Sequence, residues 1–323
     1  MNLEDEIFSI DSNEEFTKTA LKVYEFQLKN CVVYRDFVEN LNRNHPKSIS
    51  EIPFLPISFF KTHLVTQSNF TDFEATFLSS GTTSSERSKH LIPSLGIYQR
   101  AFTQIYTSKI GDPTEQVILA LLPNYLEQGN SSLVFMVQNL IEQSKNTSSG
   151  FMLNEPDKIK NAYDRAILEG KKVVIFGVTY ALLDLAKKNV DLSEAIIIET
   201  GGMKGRRKEM SKEELHQELK RGLRASRISS EYGMTELLSQ AYSDKDGLFS
   251  LPPWMKILCR DTNDPFTYVE SGKTGGINVI DLANLYSCSF IATQDLGKIE
   301  GEYFHLMGRF DNSDIRGCNL MVE

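Results

Sequence analysis

Cysteine is scarce and dispersed. Cys31, Cys259, Cys288 and Cys318 stand far apart with no C-x-x-C pair, a pattern that supports neither a disulfide framework nor a structural zinc site. The five histidines are scattered as well. Long apolar runs are missing: the most apolar stretch, residues 173–186, is broken by Gly177 and Asp184. It falls short of the roughly 20 residues a membrane span needs, and it reads as a buried strand running into a helix. No G-x-x-x-x-G-K-[ST] loop occurs, so a Walker-type phosphate site is excluded. Positive charge is in deficit, with 35 Lys and Arg against 43 Asp and Glu and a net charge of −8. Such a balance argues against a nucleic-acid partner, whose backbone is bound by basic side chains that displace counterions, and against a stable anchor on anionic membranes. The acidic start Met1-Asn2-Leu3-Glu4-Asp5-Glu6 lacks the basic region and apolar core of a secretory signal. The expected location is cytoplasmic.

What is present is ordinary globular composition, 41% hydrophobic and 24% charged over 323 residues, enough for two lobes or one large α/β domain. The first segment reads as helical: Ser12 or Asp11 can cap it, Glu14 and Glu15 sit in its first turn, and apolar residues recur at Phe16, Ala20, Leu21, Tyr24 and Leu28. Pro46, Pro53 and Pro56 then break the pattern, so residues 52–60 are expected to be an irregular connection. Downstream, β-rich runs at 117–122, 173–176, 195–198, 277–280 and 288–292 alternate with helical stretches at 131–144, 157–169, 180–188 and 212–224. That alternation predicts βαβ units and a largely parallel sheet. Three runs end in small or polar clusters: Glu199-Thr200-Gly201-Gly202, Gly177-Val178-Thr179-Tyr180 and Glu231-Tyr232-Gly233-Met234-Thr235-Glu236. Open α/β sheets bind ligands at the carboxyl ends of their strands, so one shared site and ordinary strand-to-helix turns are both compatible with this pattern.

Two motifs carry chemistry. Ser79-Ser80-Gly81-Thr82-Thr83-Ser84-Ser85, followed by Arg87 and Lys89, can wrap hydroxyl and backbone donors around phosphate oxygens with cations alongside; such clusters also occur as plain solvated loops. Tyr232-Gly233-Met234-Thr235-Glu236 follows far downstream. Together, in this order, they resemble the ANL-type adenylate-forming enzymes, the acyl- and aryl-CoA ligases, luciferases and adenylation domains. Thr293-Gln294-Asp295-Leu296-Gly297 looks like the segment whose aspartate holds the ribose. Gly308-Arg309-Phe310-Asp311-Asn312 looks like the G-R-x-D hinge, and Gly201-Gly202 like the loop that takes the adenine. Within that superfamily one branch fits better. Residues 52–61 (IPFLPISFFK), Ser79-Ser80-Gly81-Thr82, Pro252-Pro253-Trp254 and Arg316-Gly317-Cys318-Asn319-Leu320 are similar to the acyl-protein synthetase family of the bacterial luminescence fatty-acid reductases.

The resemblance implies an α/β fold of the ANL N-terminal-domain type, with parallel-rich sheets, flanking helices and a truncated C-terminal lid. In sequence order this gives a helical segment over 1–50, an adenylate-forming domain over 51–307 and a short tail over 308–323. It implies ATP and Mg²⁺, a fatty acid activated as its acyl-adenylate, an acyl group passed to Cys318, and a partner acyl reductase or acyl-carrier protein. A thiolate is the natural nucleophile for an acyl-adenylate. Residue by residue, Ser80, Gly81, Thr82 and Thr83 with Arg87 or Lys89 would hold the β- and γ-phosphates. Tyr232 would flank the adenine with Gly201 and Gly202, Thr235 would contact the α-phosphate, Glu236 would ligate Mg²⁺, and Asp295 beside Arg309 would bind the ribose. Cys31, Cys259 and Cys288 sit in helical or strand patterns and read as core. Two departures from the family pattern stand out: Ser84 and Glu86 replace the second glycine and the proline of the phosphate loop, and the lysine-bearing lid has no counterpart. They leave two further readings open, an ATP-independent acyltransferase fed by a carrier-protein or CoA thioester, and a non-catalytic interaction subunit.

Overall fold

The computed structural model describes residues 2–80, 87–123, 129–153, 155, 157–201, 210–245 and 247–310. Two compact units divide the chain: Met1–Thr71 with Pro253–Glu323, and Asp72–Pro252.

The first unit opens with helices α1 (Leu3–Phe8), α2 (Asn13–Asn30) and α3 (Val32–Asn40). As the sequence predicts, Ser12 caps α2, its side chain accepting the Glu15 N–H at 3.3 Å. Phe16, Ala20, Val23 and Tyr24 are buried on one face of α2, the i, i+4, i+7, i+8 stripe of a helix on a core. The stretch expected to be irregular instead holds a two-residue strand β1 (Leu55–Pro56) and a single helical turn α4 (Phe59–Thr62). Leu55 and Pro56 pair in parallel with Ile291 and Ala292, and the Ile57 N–H donates to the Ala292 carbonyl at 2.9 Å. Proline survives there because so short a strand asks for few donors, and Ile57 supplies the next one.

The second unit begins with an antiparallel hairpin, β2 (Ala75–Leu78) and β3 (Lys89–Ile92), in which Phe77 pairs with His90 and Leu78 with Lys89. Helix α5 (Leu95–Lys109) follows, then β4 (Gln116–Leu121), α6 (Ser132–Ser144), β5 (Gly150–Phe151), α7 (Lys158–Leu168), β6 (Lys172–Val178), α8 (Thr179–Ala186), β7 (Ala195–Thr200), α9 (Lys212–Leu223) and β8 (Arg227–Tyr232). Strands β9 (Ala241–Lys245) and β10 (Leu248–Ser250) complete it. The order across this sheet is β10-β9-β8-β7-β6-β4-β5. Every pairing from β8 through β5 is parallel, and β8–β9 and β9–β10 are antiparallel. The sheet is therefore parallel-rich, as the βαβ alternation predicts. All six residues of β4 are buried, and so are all of β6 after Lys172, which is the signature of strands covered on both faces. Gly222 lets α9 approach α8: a Cβ there would lie 2.4 Å from the Ala186 carbonyl oxygen.

The chain then returns to the first unit with β11 (Met255–Arg260), β12 (Thr274–Asp281), β13 (Phe290–Glu300) and β14 (Tyr303–Arg309), an antiparallel meander. Its core includes Phe290, ringed by Tyr24, Tyr34 and Phe54 at 5.9–6.3 Å between centroids. Among the described residues, no helix is long and apolar enough to cross a membrane.

Candidate active site

Parallel pairing sets Val178 beside Thr200 and Thr200 beside Glu231, so the carboxyl ends of β6, β7 and β8 lie in one row. The side chains there form a connected polar cluster. Glu199, 1% exposed, accepts the Lys212 ammonium at 2.5 Å and the Ser230 hydroxyl at 2.9 Å on Oε2, and the Thr179 hydroxyl at 2.6 Å on Oε1. Thr179 Oγ1 lies equally close to the Gly201 carbonyl oxygen, at 2.6 Å, so its single proton is shared between β7 and the backbone that follows it. His216 Nε2 is 2.9 Å from Ser230 Oγ. Lys212 and His216 both come from α9, one turn apart, after a capping box of Ser211 with Glu214 has started the helix. Next to this cluster the Thr200 hydroxyl donates to Glu231 Oε2 at 2.5 Å. Burial, with Glu199 adding repulsion, pushes the Glu231 carboxyl up to about 7, against the opposing pull of the Thr200 hydrogen bond and Lys212. Perturbed carboxyls at the open ends of parallel strands mark functional-site candidates.

The predicted Tyr232–Glu236 segment leaves the same strand. Tyr232 is the last residue of β8, buried, with its ring edge-on to Phe249. Gly233 follows where a Cβ would strike Glu231 Oε1 at 2.3 Å. Thr235 is half-buried and Glu236 buried, on a turn closed by the Leu237 N–H to the Met234 carbonyl at 3.1 Å. The Thr235 carbonyl lies 2.8 Å from Nδ1 of His90 on β3. This contact brings the hairpin that carries the hydroxyl-rich loop onto the Y-G-M-T-E turn. Ser79 and Ser88 close the base of that loop with paired bonds of 3.1 and 3.0 Å. Ser80, Arg87 and Lys89 are exposed, and Ser88 and His90 are buried, alternating as a strand does. Gly201 is exposed with φ +74°, just past β7. Gly81, Thr82, Thr83, Gly202 and Cys318 lie outside the described residues.

In the other unit, Asp295 and Arg309 are brought together as the sequence predicts. They are paired across β13 and β14, with Arg309 Nε donating to Asp295 Oδ1 at 2.8 Å. The aspartate side chain is 7% exposed and the arginine 73%. The β-rich run read as 288–292 in fact begins at Phe290 and continues to Glu300, so Asp295 is an internal strand residue. Its neighbours Gln294 and Lys298 hid that continuation. Behind it, Arg260 donates to the carbonyls of Ile277 and Thr293 and to Asn278 Oδ1 at 2.6–2.8 Å.

Cys31, Cys259 and Cys288 are buried and unbridged, and burial pushes each thiol above its ordinary value. They are core residues, as their sequence patterns imply, and poor nucleophiles. Glu199 and Thr179 belong to two of the strand-end clusters that the sequence offered as one shared site, and Ser230 directly precedes the third. Lys212, His216 and His90 were not singled out by the sequence.

The fold has known counterparts. ATP-bound MatB from Rhodopseudomonas palustris superposes with a TM-score of 0.57 at 18% identity, covering 74% of this chain and 48% of MatB. An open conformation of 2-hydroxyisobutyryl-CoA ligase in complex with 2-HIB-AMP and CoA gives 0.68 at 10% identity, covering 93% and 76%. The anthranilate CoA ligase AuaEII in complex with anthranoyl-AMP gives 0.51 at 14%, covering 72% and 46%. The chain thus spans about half the length of MatB, and the ANL-type α/β fold expected from its motifs is the fold it has. No curated protein matches it in sequence. The family model "Acyl-protein synthetase, LuxE" matches residues 6–323, and the chain belongs to that family.

Proposed function

We propose that this protein activates a fatty-acid carboxylate with ATP and passes the acyl group to its own Cys318. The carboxylate oxygen attacks the α-phosphorus, the bond to the β-phosphate bridging oxygen breaks, and pyrophosphate leaves. The Cys318 thiolate then attacks the acyl carbon of the adenylate, forming a thioester and releasing AMP. The observation that carries this reading is the juxtaposition of the Thr235–Glu236 turn with the hairpin bearing the hydroxyl-rich loop, joined at 2.8 Å through His90, in a chain of the acyl-protein synthetase family.

Each residue has a role in that reading. Ser80, Gly81, Thr82 and Thr83 with Arg87 and Lys89 hold the β- and γ-phosphates, and Thr235 donates to the α-phosphate. Tyr232, Gly201 and Gly202 bound the adenine, and Asp295, oriented by Arg309, takes the ribose hydroxyls. Mg²⁺ bound with nucleotide uses one or two carboxylates plus phosphate oxygens rather than a protein cage. Glu236 fits that mode, and among the described residues no group of three His, Cys, Asp or Glu offers a cage. The ion would neutralise phosphate charge as it develops. The setting we propose is cytoplasmic, with Cys318 as the acyl carrier that delivers to an acyl reductase or acyl-carrier protein.

The second reading, acyl transfer from a thioester donor without ATP, is favoured by Ser84 and by Glu86, whose carboxylate repels phosphate. Intact mass separates the two. The protein is incubated with mixed fatty acids and Mg²⁺, with and without ATP, beside Cys318→Ser. An ATP-dependent, hydroxylamine-labile adduct that Cys318→Ser lacks is the expected result. An adduct formed only from acyl thioesters selects the transferase, and no adduct from any donor selects a non-catalytic subunit.

A further inference from the structure

His90 belongs to neither motif, yet it follows one directly in the chain and bonds to the other. It follows Lys89 on β3, opposite Phe77, at 1% exposure. Two residues before it, Ser88 donates its N–H to Ser79 Oγ at 3.0 Å and accepts the Ser79 N–H at 3.1 Å. On the facing strand the Leu78 N–H donates to the Asn130 carbonyl at 2.8 Å. The base of the hydroxyl-rich loop is therefore held from both sides. From this frame His90 Nδ1 reaches the Thr235 carbonyl, 145 positions away in sequence.

The tautomer follows from the partner. A carbonyl oxygen only accepts, so Nδ1 carries the hydrogen. Burial holds the ring's pKa down at about 4, so at neutral pH the ring is uncharged and its one N–H points at Thr235. A buried histidine that spends its single donor on the backbone of a distant loop fixes that loop's height above the hairpin. We infer that His90 is a positioning residue that sets the spacing between the phosphate-loop hairpin and the Thr235–Glu236 turn, and through it the alignment of the bound nucleotide's phosphates. This rests on the nucleotide reading above.

Asparagine and glutamine separate this role from simple core filling. The Asn Nδ2 stands as many bonds from Cα as the histidine Nδ1, whereas the Gln Nε2 stands one further. The test measures fatty-acid-dependent ATP–pyrophosphate exchange, with kcat and KM for ATP, in the full-length wild type, His90→Asn, His90→Gln and His90→Leu. Thermal unfolding is recorded for each. His90→Asn is expected within about threefold of wild type. His90→Gln and His90→Leu should lose on the order of 10–100-fold, mainly in kcat, as misplacement by about 1 Å does at reacting centres. If His90→Leu does not fold, the Asn and Gln pair decides alone. Equal exchange in Asn and Gln, or losses that merely track melting temperature, would overturn the assignment. A wild-type protein that exchanges no pyrophosphate with any fatty acid defeats the nucleotide reading itself, without reference to His90.

Discussion

Two buried polar clusters, one in each unit, show how differently a core can hold polar atoms. In the first unit Gln27 is fully buried on α2. Its Nε2 donates to the carbonyls of Asn284 and Leu285 and to Ser289 Oγ at 2.9–3.0 Å, and its Oε1 accepts the Ser289 N–H at 3.0 Å. That cluster is neutral, and it satisfies mostly backbone that no strand partner serves. In the second unit Glu199, Lys212, Thr179, Ser230 and His216 meet at the strand ends, bonded side chain to side chain, with the Thr200–Glu231 bond beside them. A neutral amide solves a local satisfaction problem. A charged cluster stakes far more desolvation energy on its geometry, and here it borders the backbone entering both Gly201 and Tyr232.

The contrast can be broken from several sides. The largest expected effect comes from Lys212→Met, which strands the buried Glu199 carboxylate. We expect a loss of about 3–4 kcal/mol in urea unfolding, the low end for a broken buried pair because Lys212 remains a third exposed. An unchanged midpoint would show that the Lys212–Glu199 pair adds nothing to the stability of the fold.

The next effect is a pH slope from Glu231. Its carboxyl rises from the ordinary 4.5 to about 7 on folding. The unfolded chain therefore releases the proton first, and stability is full below about 4.5 and declines as the pH climbs through 7. At 1.36 kcal/mol per pKa unit the decline is about 3 kcal/mol. Glu231→Gln should flatten this part of the stability–pH curve, and a variant that keeps the wild-type slope would assign the titration elsewhere.

Gln27→Leu is the smallest of the three. It strips partners from buried backbone and should cost about 2 kcal/mol. Its exchange activity per folded molecule should match wild type, because the Gln27 cluster is structural. A selective loss of activity would erase the distinction between the clusters.

Much of this was legible in the sequence, for definite reasons. The doubly covered strands announce themselves as unbroken apolar runs such as Val173-Val174-Ile175-Phe176 and Ile196-Ile197-Ile198. Helix α9 carries its capping box in Ser211 and Glu214. Strands exposed on one face do not stand out in this way. Met255–Arg260 alternates buried and half-buried residues, and the end of β13 mixes Gln294, Asp295 and Lys298 with apolar positions, so both escaped a search for apolar runs. The Tyr232–Glu236 segment and Asp295 with Arg309 could be read because they are motifs. The bonds of Lys212 to Glu199 and of His90 to Thr235 could not, since crossover geometry rather than spacing brings those residues together.

The most direct test of adenylate formation is exchange of labelled pyrophosphate into ATP by the full-length protein with Mg²⁺ and a series of fatty acids. The account predicts fatty-acid-dependent exchange that Glu236→Gln reduces by about 100-fold while Cys318→Ser leaves it intact, because the thiol acts only after the adenylate exists. Absence of exchange with every acid, in protein that still takes an acyl group from a thioester donor, would contradict it.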